Sequence, residues 1–200
     1  MDISVLAILW ALIEKACVVL MIFVLLFHIN FFKRMLTDKM TVAHQVLLSI
    51  VFGAFAIYGT YSGVATSGAI ANIRNIGPMM GGLLAGPWVG LASGLIGGIH
   101  RYFIPGGFTA VPCALGTILS GLVGGLLYLL WKGKIGIWKP ALFAFIMEVV
   151  DMTMLLLVAK PFENALKLVS IISIPMILAD TFGVMIFAIL LREMKERLTH

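Results

Sequence analysis

The sequence predicts an all-α, polytopic transmembrane helical bundle of about seven spans. The first observation is composition: of 200 residues, 62% are hydrophobic and 12% are charged, and the mean hydropathy is +1.11. A soluble domain cannot build its surface from such a composition. The second observation is that apolar runs of roughly 20 residues, enough to cross a bilayer, are separated by short polar stretches. We therefore expect residues 1–200 to form one membrane domain.

The apolar runs delimit seven spans in chain order. Their approximate bounds are 3–27, 42–61, 70–85, 87–104, 111–131, 138–159 and 166–191. The third and fourth are short, and Gly86 followed by Pro87 is typical of one helix ending and another beginning, so we expect these two to form a helical hairpin. Gly86, Gly90, Gly94 and Gly98 recur every four residues and predict a flat stripe for close helix packing.

The basic residues predict the topology. They cluster in three places: Lys33, Arg34 and Lys39; Lys132, Lys134 and Lys139; Arg192, Lys195 and Arg197. All three clusters fall on one side only with seven spans, which places the C-terminus in the cytoplasm and the N-terminus outside the plasma membrane. The alternative is six spans with 78–104 as a single helix, and it puts the first basic loop outside.

Several function classes are excluded by the pattern of polar residues. The net charge of +5 is carried by loops beside apolar runs, which predicts contact with the lipid bilayer and no nucleic acid. The histidines and cysteines lack metal-ligand spacing, and no nucleophile or nucleotide-binding motif appears. We expect no catalytic residues, no cofactor and no metal site in this chain.

Arg74 and Arg101 are the polar residues that most need explaining, because an ionisable group inside a bilayer costs roughly 2.5 to 3.5 kcal/mol or more. Pro78 cannot donate to the carbonyl of Arg74, so we expect an opened helix there. In the seven-span topology both arginines lie toward the outer ends of their spans. They can converge on an outward-facing cavity and bind a small anionic metabolite through their planar donor forks.

The second interpretation of these arginines is structural. Asp151, Asp180 and Glu148 in later spans are candidate charge partners that would neutralise them, as buried charges require. The two interpretations can coexist, since the acids could orient the arginines.

Four stretches of the sequence carry a family resemblance. They are the Asn-x-Arg element at Asn72 and Arg74; the glycine ladder that ends in His100, Arg101 and Tyr102; Gly-Gly-x-Thr-Ala at Gly106 to Ala110, followed by Cys113 and Thr117; and the exit "LLREMKER". Together they resemble the membrane sensor domain of LytS-type (LytS-YhcK) receptors, over approximately residues 42–191.

The resemblance implies a bacterial inner-membrane receptor that senses a small extracellular carboxylate such as pyruvate. By position, the ligand contacts would be Arg74, Arg101 and Cys113, with Asn72, His100 and Thr117 beside them in the same motifs. Some relatives have a hydroxyl residue three positions after the cysteine, where this chain has Gly116. For LytS itself, the resemblance also implies a role in autolysis and cell-wall regulation.

The resemblance further implies a two-component system, in which this module precedes a histidine kinase. No kinase signature occurs before His200, so we expect a truncated form or a piece of a longer sensor histidine kinase, which would act as a homodimer on a response regulator. The alternative function is the substrate-binding membrane subunit of an energy-coupling-factor type transporter, which is also all-helical and glycine-rich.

Overall fold

The computed structural model describes residues 3–29, 32–33, 40–104, 107–132 and 135–199. These residues contain seven helices of ten or more residues, one β-hairpin and one 3-10 turn at Gly107–Thr109. In chain order they are α1 (Ile3–His28), α2 (Val42–Tyr61), β1 (Val64–Thr66), β2 (Ala69–Ala71), α3 (Ile76–Ala85), α4 (Pro87–Phe103), α5 (Ala110–Leu130), α6 (Trp138–Val158) and α7 (Phe162–Thr199). The helical fold class is confirmed. Arg34, Lys39, Gly106, Lys134 and His200, which the sequence argument used, lie outside the described residues.

The predicted hairpin of two short helices is confirmed. α3 has 10 residues and α4 has 17, whereas α1, α2, α5, α6 and α7 are each long and apolar enough to cross a membrane. At a rise of about 1.5 Å per residue, α3 is about 15 Å long, roughly half the thickness of the hydrocarbon core. Gly86, at φ 92°, separates it from α4. A single helix over 78–104 is therefore wrong.

A β-hairpin stands where the sequence argument expected the start of the third span. β1 and β2 are antiparallel, with Val64 opposite Ala71, and Ser67 and Gly68 form the turn with φ of 48° and 80°. Positive φ at both turn residues matches the twist of a two-residue hairpin. The predicted helix over 70–85 is thus wrong at its beginning, because Ile70 and Ala71 pair in β2 and the helix begins at Ile76.

Glycines bring α3, α4 and α5 into backbone contact. A Cβ placed on Gly90 would overlap the carbonyl of Gly121, and one on Gly82 would meet the backbone of Gly121 and Gly125. Side chains larger than hydrogen would separate these helices, so the glycine stripe serves the close packing that the sequence predicts.

Polar and apolar residues are distributed in the reverse of a soluble protein. Large apolar side chains such as Trp10, Leu130 and Leu157 are more than 70% exposed, whereas Arg74 and Arg101 are each 1% exposed. This suits a lipid environment, because hydrocarbon solvates the exposed apolar surface and the protein interior has to satisfy the polar groups.

The last helix extends beyond both ends of the predicted span, 166–191. α7 runs without a break from Phe162 to Thr199, whereas the apolar run ends near residue 191. Arg192 Nε donates to Glu196 Oε1 at 2.9 Å across one turn. Such a pair supports an exposed helix, and the same helix that packs in the bundle therefore continues beyond it.

Candidate functional site

Arg74 lies in the irregular segment between β2 and α3. The backbone N–H of Arg74 donates to Asn72 Oδ1 at 3.1 Å, and Asn72 Nδ2 donates to the Ile70 carbonyl at 2.7 Å. A local turn built on an Asn side chain therefore fixes the backbone. The expectation that Arg74 sits within an opened helix is wrong, because the helix begins two residues later and Pro78 falls in its first turn, where the N–H has no partner within the helix.

The Arg74 guanidinium points into the bundle toward α5. Its Nε donates to Thr117 Oγ1 at 2.6 Å and its Nη2 to the Cys113 carbonyl at 3.3 Å. Its Nη1 is buried without a hydrogen-bond partner among the described residues, and the salt bridges found there do not involve Arg74. Arg74 therefore makes no direct salt bridge with a described acid, although Asp151 and Asp180 are close enough to interact with its charge.

Arg101 approaches the same turn of α5 from the end of α4. Its Nη2 donates to Thr109 Oγ1 at 2.9 Å and its Nη1 to the Ile104 carbonyl at 3.2 Å. The side chain also interacts with the Cys113 thiol. Both arginines therefore contact Cys113, Arg74 at its backbone carbonyl and Arg101 at its side chain.

The other predicted ligand contacts divide into two groups. Asn72 and Thr117 hydrogen-bond to Arg74 directly. His100 does not join them: its ring packs against Tyr61 with centroids 5.0 Å apart, and its Nδ1 has no hydrogen-bond partner in the described part of the chain.

The three predicted charge partners are buried together behind Asn75. Asn75 Nδ2 donates to Glu148 Oε1 at 2.8 Å and to Asp151 Oδ2 at 2.7 Å. Asp180, on α7, lies beside Glu148 and is fully buried. The acids thus connect α6 to α7, and they reach the arginine side of the site through Asn75.

Thr117 joins the basic and acidic halves of the site. Its hydroxyl accepts from Arg74 Nε and lies 2.9 Å from Asn75 Oδ1 and 2.8 Å from the Cys113 carbonyl. A hydroxyl has one hydrogen and can donate to only one of these acceptors at a time. The result is a polar chain from Arg74 through Thr117 and Asn75 to the carboxyl groups.

A small cavity adjoins this polar chain. Its volume is about 10 Å³, room for about one water molecule. Its polar lining comes from Asn72, Thr109, Cys113 and Asp151, and its remaining lining residues are Ala69, Ile70, Met152, Leu155, Leu168, Ile172 and Met176. The sequence argument expected an outward-open pocket lined by the arginines. The structure instead has a small cavity that the arginines do not line, although they contact two of its lining residues, Thr109 and Cys113.

Sequence reasoning missed two members of the site, Asn75 and Thr109. Asn75 does carry a sequence signal, because a buried amide in an apolar chain needs hydrogen-bond partners. Thr109 occurs in the Thr-Ala motif before α5. The only sequence signal for its contact with Arg101 is that a hydroxyl residue occurs eight positions after that arginine.

The described residues thus form a helical membrane domain with two buried guanidinium groups near a small cavity. The chain belongs to the 5TMR-LYT family, since the family model described as "5TMR of 5TMR-LYT" matches residues 29–194. This confirms the resemblance to the LytS-type membrane sensor domain. No solved structure matches the chain.

Three relatives illustrate the similarity. Sensor histidine kinase BtsS of Escherichia coli (strain K12) is 39% identical over 197 residues, covering 94% of this chain and 35% of the relative. Sensor histidine kinase YpdA of the same strain is 35% identical, covering 85% and 30%. Sensor protein LytS of Bacillus subtilis (strain 168) is 32% identical, covering 88% and 33%. The chain thus spans about a third of the length of these relatives.

Proposed function

We propose that this chain is the sensing domain of a receptor histidine kinase, in which Arg74 and Arg101 bind the carboxylate of a small extracellular metabolite of about the size of pyruvate. The observation that carries the proposal is that two fully buried arginines from different elements meet at Cys113, with Arg74 forming no salt bridge to a described acid. A buried guanidinium that makes no direct ion pair has donors to spare, and its Nη1 has no hydrogen-bond partner among the described residues. A ligand carboxylate would give these donors a direct anionic partner.

The size of the cavity makes ligand entry a conformational event. A volume of about 10 Å³ holds about one water, so a three-carbon acid has to separate the walls formed by β2, α5, α6 and α7. A ligand shifts such an equilibrium only by its differential affinity for the closed and opened arrangements. The carboxylate gains two guanidinium partners in the opened arrangement, and that gain drives the change.

The signal is proposed to travel through the polar chain to α7. When the guanidinium of Arg74 turns to donate to a ligand, Thr117 loses its hydrogen bond from Nε. The hydrogen bonds from Asn75 to Glu148 and Asp151 then rearrange. Asp180, on α7, lies beside Glu148, and α7 continues as one helix to Thr199. A shift of α7 at Asp180 therefore reaches the C-terminal end of the chain.

The downstream steps follow from the relatives and belong to the same proposal. Two of the relatives are sensor histidine kinases, which supports a kinase C-terminal to this chain, a homodimer and a response regulator as partner. A role in autolysis or cell-wall regulation is the output that the resemblance to LytS suggests. We place the C-terminus in the cytoplasm and the N-terminus outside the plasma membrane.

The test is calorimetric titration of the purified chain in lipid nanodiscs with pyruvate and other short carboxylates. Arg74→Ala and Arg101→Ala are each expected to weaken binding by about 2 to 5 kcal/mol, since each removes one partner of a buried charge pair. Arg192→Ala is the matched control, because Arg192 is an exposed arginine paired only with Glu196 among the described residues, and it should bind as the wild type does. Unchanged affinity in both site variants would defeat the assignment.

A second measurement separates a receptor from a transporter. Vesicles that contain the chain should bind labelled pyruvate without accumulating it. Accumulation that depends on Arg74 would instead favour the transporter alternative.

A further inference from the structure

Asp151 has one carboxylate oxygen that the protein leaves unsatisfied. The residue lies on α6 and is 7% exposed. Its Oδ2 accepts from Asn75 Nδ2 at 2.7 Å, whereas its Oδ1 is buried and has no hydrogen-bond partner among the described residues. A buried carboxylate oxygen without a donor is costly, so this atom is expected to find a partner that is not part of the chain's own side chains.

The unsatisfied oxygen lies against α5 at a position that only glycine permits. A Cβ placed on Gly116 would coincide with Asp151 Oδ1. Gly116 is three residues after Cys113, close to one helical turn. The missing side chain at residue 116 therefore lets the carboxylate of α6 reach the same face of α5 that carries Cys113.

The polar lining of the cavity includes residues from both halves of the site. Thr109 and Cys113 contact Arg101 and Arg74, whereas Asp151 belongs to the acidic group on α6. The rest of the lining is mainly apolar, with residues such as Leu155 and Ile172. A ligand whose carboxylate faces the arginines would turn its next carbon toward Asp151.

We propose that Asp151 is a ligand-contacting and specificity-determining residue, which selects short carboxylates bearing a hydrogen-bond donor, a hydroxyl or an ammonium group, on the carbon next to the carboxylate. This inference rests on the function proposed above and adds the chemical class of the ligand. A 2-hydroxy or 2-amino acid donates to Asp151 Oδ1 and satisfies it. With the Asp151 carboxyl ionised, and therefore only an acceptor, a 2-oxo acid brings a second acceptor to the same oxygen, and an unsubstituted acid leaves it unpaired.

The test compares acids of the same size by titration of the whole chain in nanodiscs. L-lactate, D-lactate and L-alanine each differ from pyruvate only at the second carbon, and propionate lacks a substituent there. At least one of the donor-bearing acids should bind about 10- to 100-fold more tightly than pyruvate and propionate, the range for a hydrogen bond to a charged group. Comparing the affinity for lactate with that for alanine distinguishes a hydroxyl donor from an ammonium donor.

Two variants assign the preference to Asp151. Asp151→Asn keeps the shape but can present an amide N–H to the ligand, so it should abolish the preference or turn it toward pyruvate. Gly116→Ala places a methyl group where the carboxylate lies, and it should remove the preference while the carboxylate still binds. Glu163→Gln, an exposed neutralisation at the start of α7, is the control and should keep the wild-type order. Tryptophan fluorescence melting verifies that each variant is folded.

The outcomes separate this inference from the proposed function. If pyruvate binds as tightly as lactate and alanine, or if folded Asp151→Asn keeps the wild-type order, the inference is overturned while the arginine site stands. If none of the acids binds, or if Arg74→Ala has no effect on any of them, both are overturned.

Discussion

Asn75 is the residue whose replacement tests the polar chain most sharply. Its side chain makes three hydrogen bonds: it donates to Glu148 and Asp151, and it accepts from Thr117. Replacement by alanine removes all three and leaves two buried carboxyl oxygens without their donor.

The magnitude follows from the number of bonds. Hydrogen bonds between membrane helices are worth on average about 0.6 kcal/mol and at most about 1.7. Three of them give an expected loss of about 2 to 5 kcal/mol for Asn75→Ala. Asn75→Asp keeps the size but replaces the amide donor with another carboxyl group beside the buried acids, so its loss should be at least as large.

The assay is reversible unfolding of the chain in mixed micelles by titration with SDS, followed by the fluorescence of its four tryptophans. Asn164→Ala is the matched control, because Asn164 is exposed near the start of α7 and should change the free energy of unfolding by less than about 0.5 kcal/mol. A loss for Asn75→Ala as small as that of the control would refute the bridge between α3 and α6.

Three further predictions concern the fold. Gly90→Ala should destabilise the bundle by about 1 to 3 kcal/mol, because its Cβ would overlap the Gly121 carbonyl. Gly136 has open space around it, so Gly136→Ala should be neutral in the same SDS titration. Equal effects of the two substitutions would contradict the packing. Gly68→Ala should lower the free energy of unfolding by about 1 to 2 kcal/mol, because residue 68 has a positive φ of 80°. Asparagine tolerates that conformation, so Gly68→Asn should lower it by less. The reverse order would argue against the hairpin turn. A fluorescent protein fused after Thr199 should fluoresce in cells and alkaline phosphatase fused before Ile3 should be active outside, and the opposite pattern would invert the proposed topology.

Much of the fold could be predicted because bilayer thickness leaves a strong signal in the sequence. Gly86 and Pro87 predict the break between α3 and α4. Glycine commonly ends a helix and proline commonly begins one, so the pair is a local signal for a break. The hairpin from Val64 to Ala71 was not visible. Its three-residue strands are too short to show alternation, and their apolar residues continue the pattern of a membrane helix.

The candidate site could be predicted in part for a related reason. Arg74 and Arg101 are conspicuous because guanidinium groups are rare in apolar spans, and their convergence follows from the hairpin. The bridge from Asn75 to Glu148 joins residues 73 positions apart, and a single sequence carries no signal for such a pairing. The fit of Asp151 against Gly116 likewise depends on how α6 packs on α5, and helix spacing alone does not determine that.

The most direct measurement of the central claim is a structure of the chain with a bound short carboxylate, determined by cryo-electron microscopy or crystallography in lipid. The account predicts the ligand carboxylate between Arg74 and Arg101 beside Cys113, with oxygens at about 2.7 to 2.9 Å from guanidinium nitrogens of both residues. A ligand carboxylate bound at the surface lysines, or held by only one of the two arginines while the other keeps its contacts with α5, would contradict it.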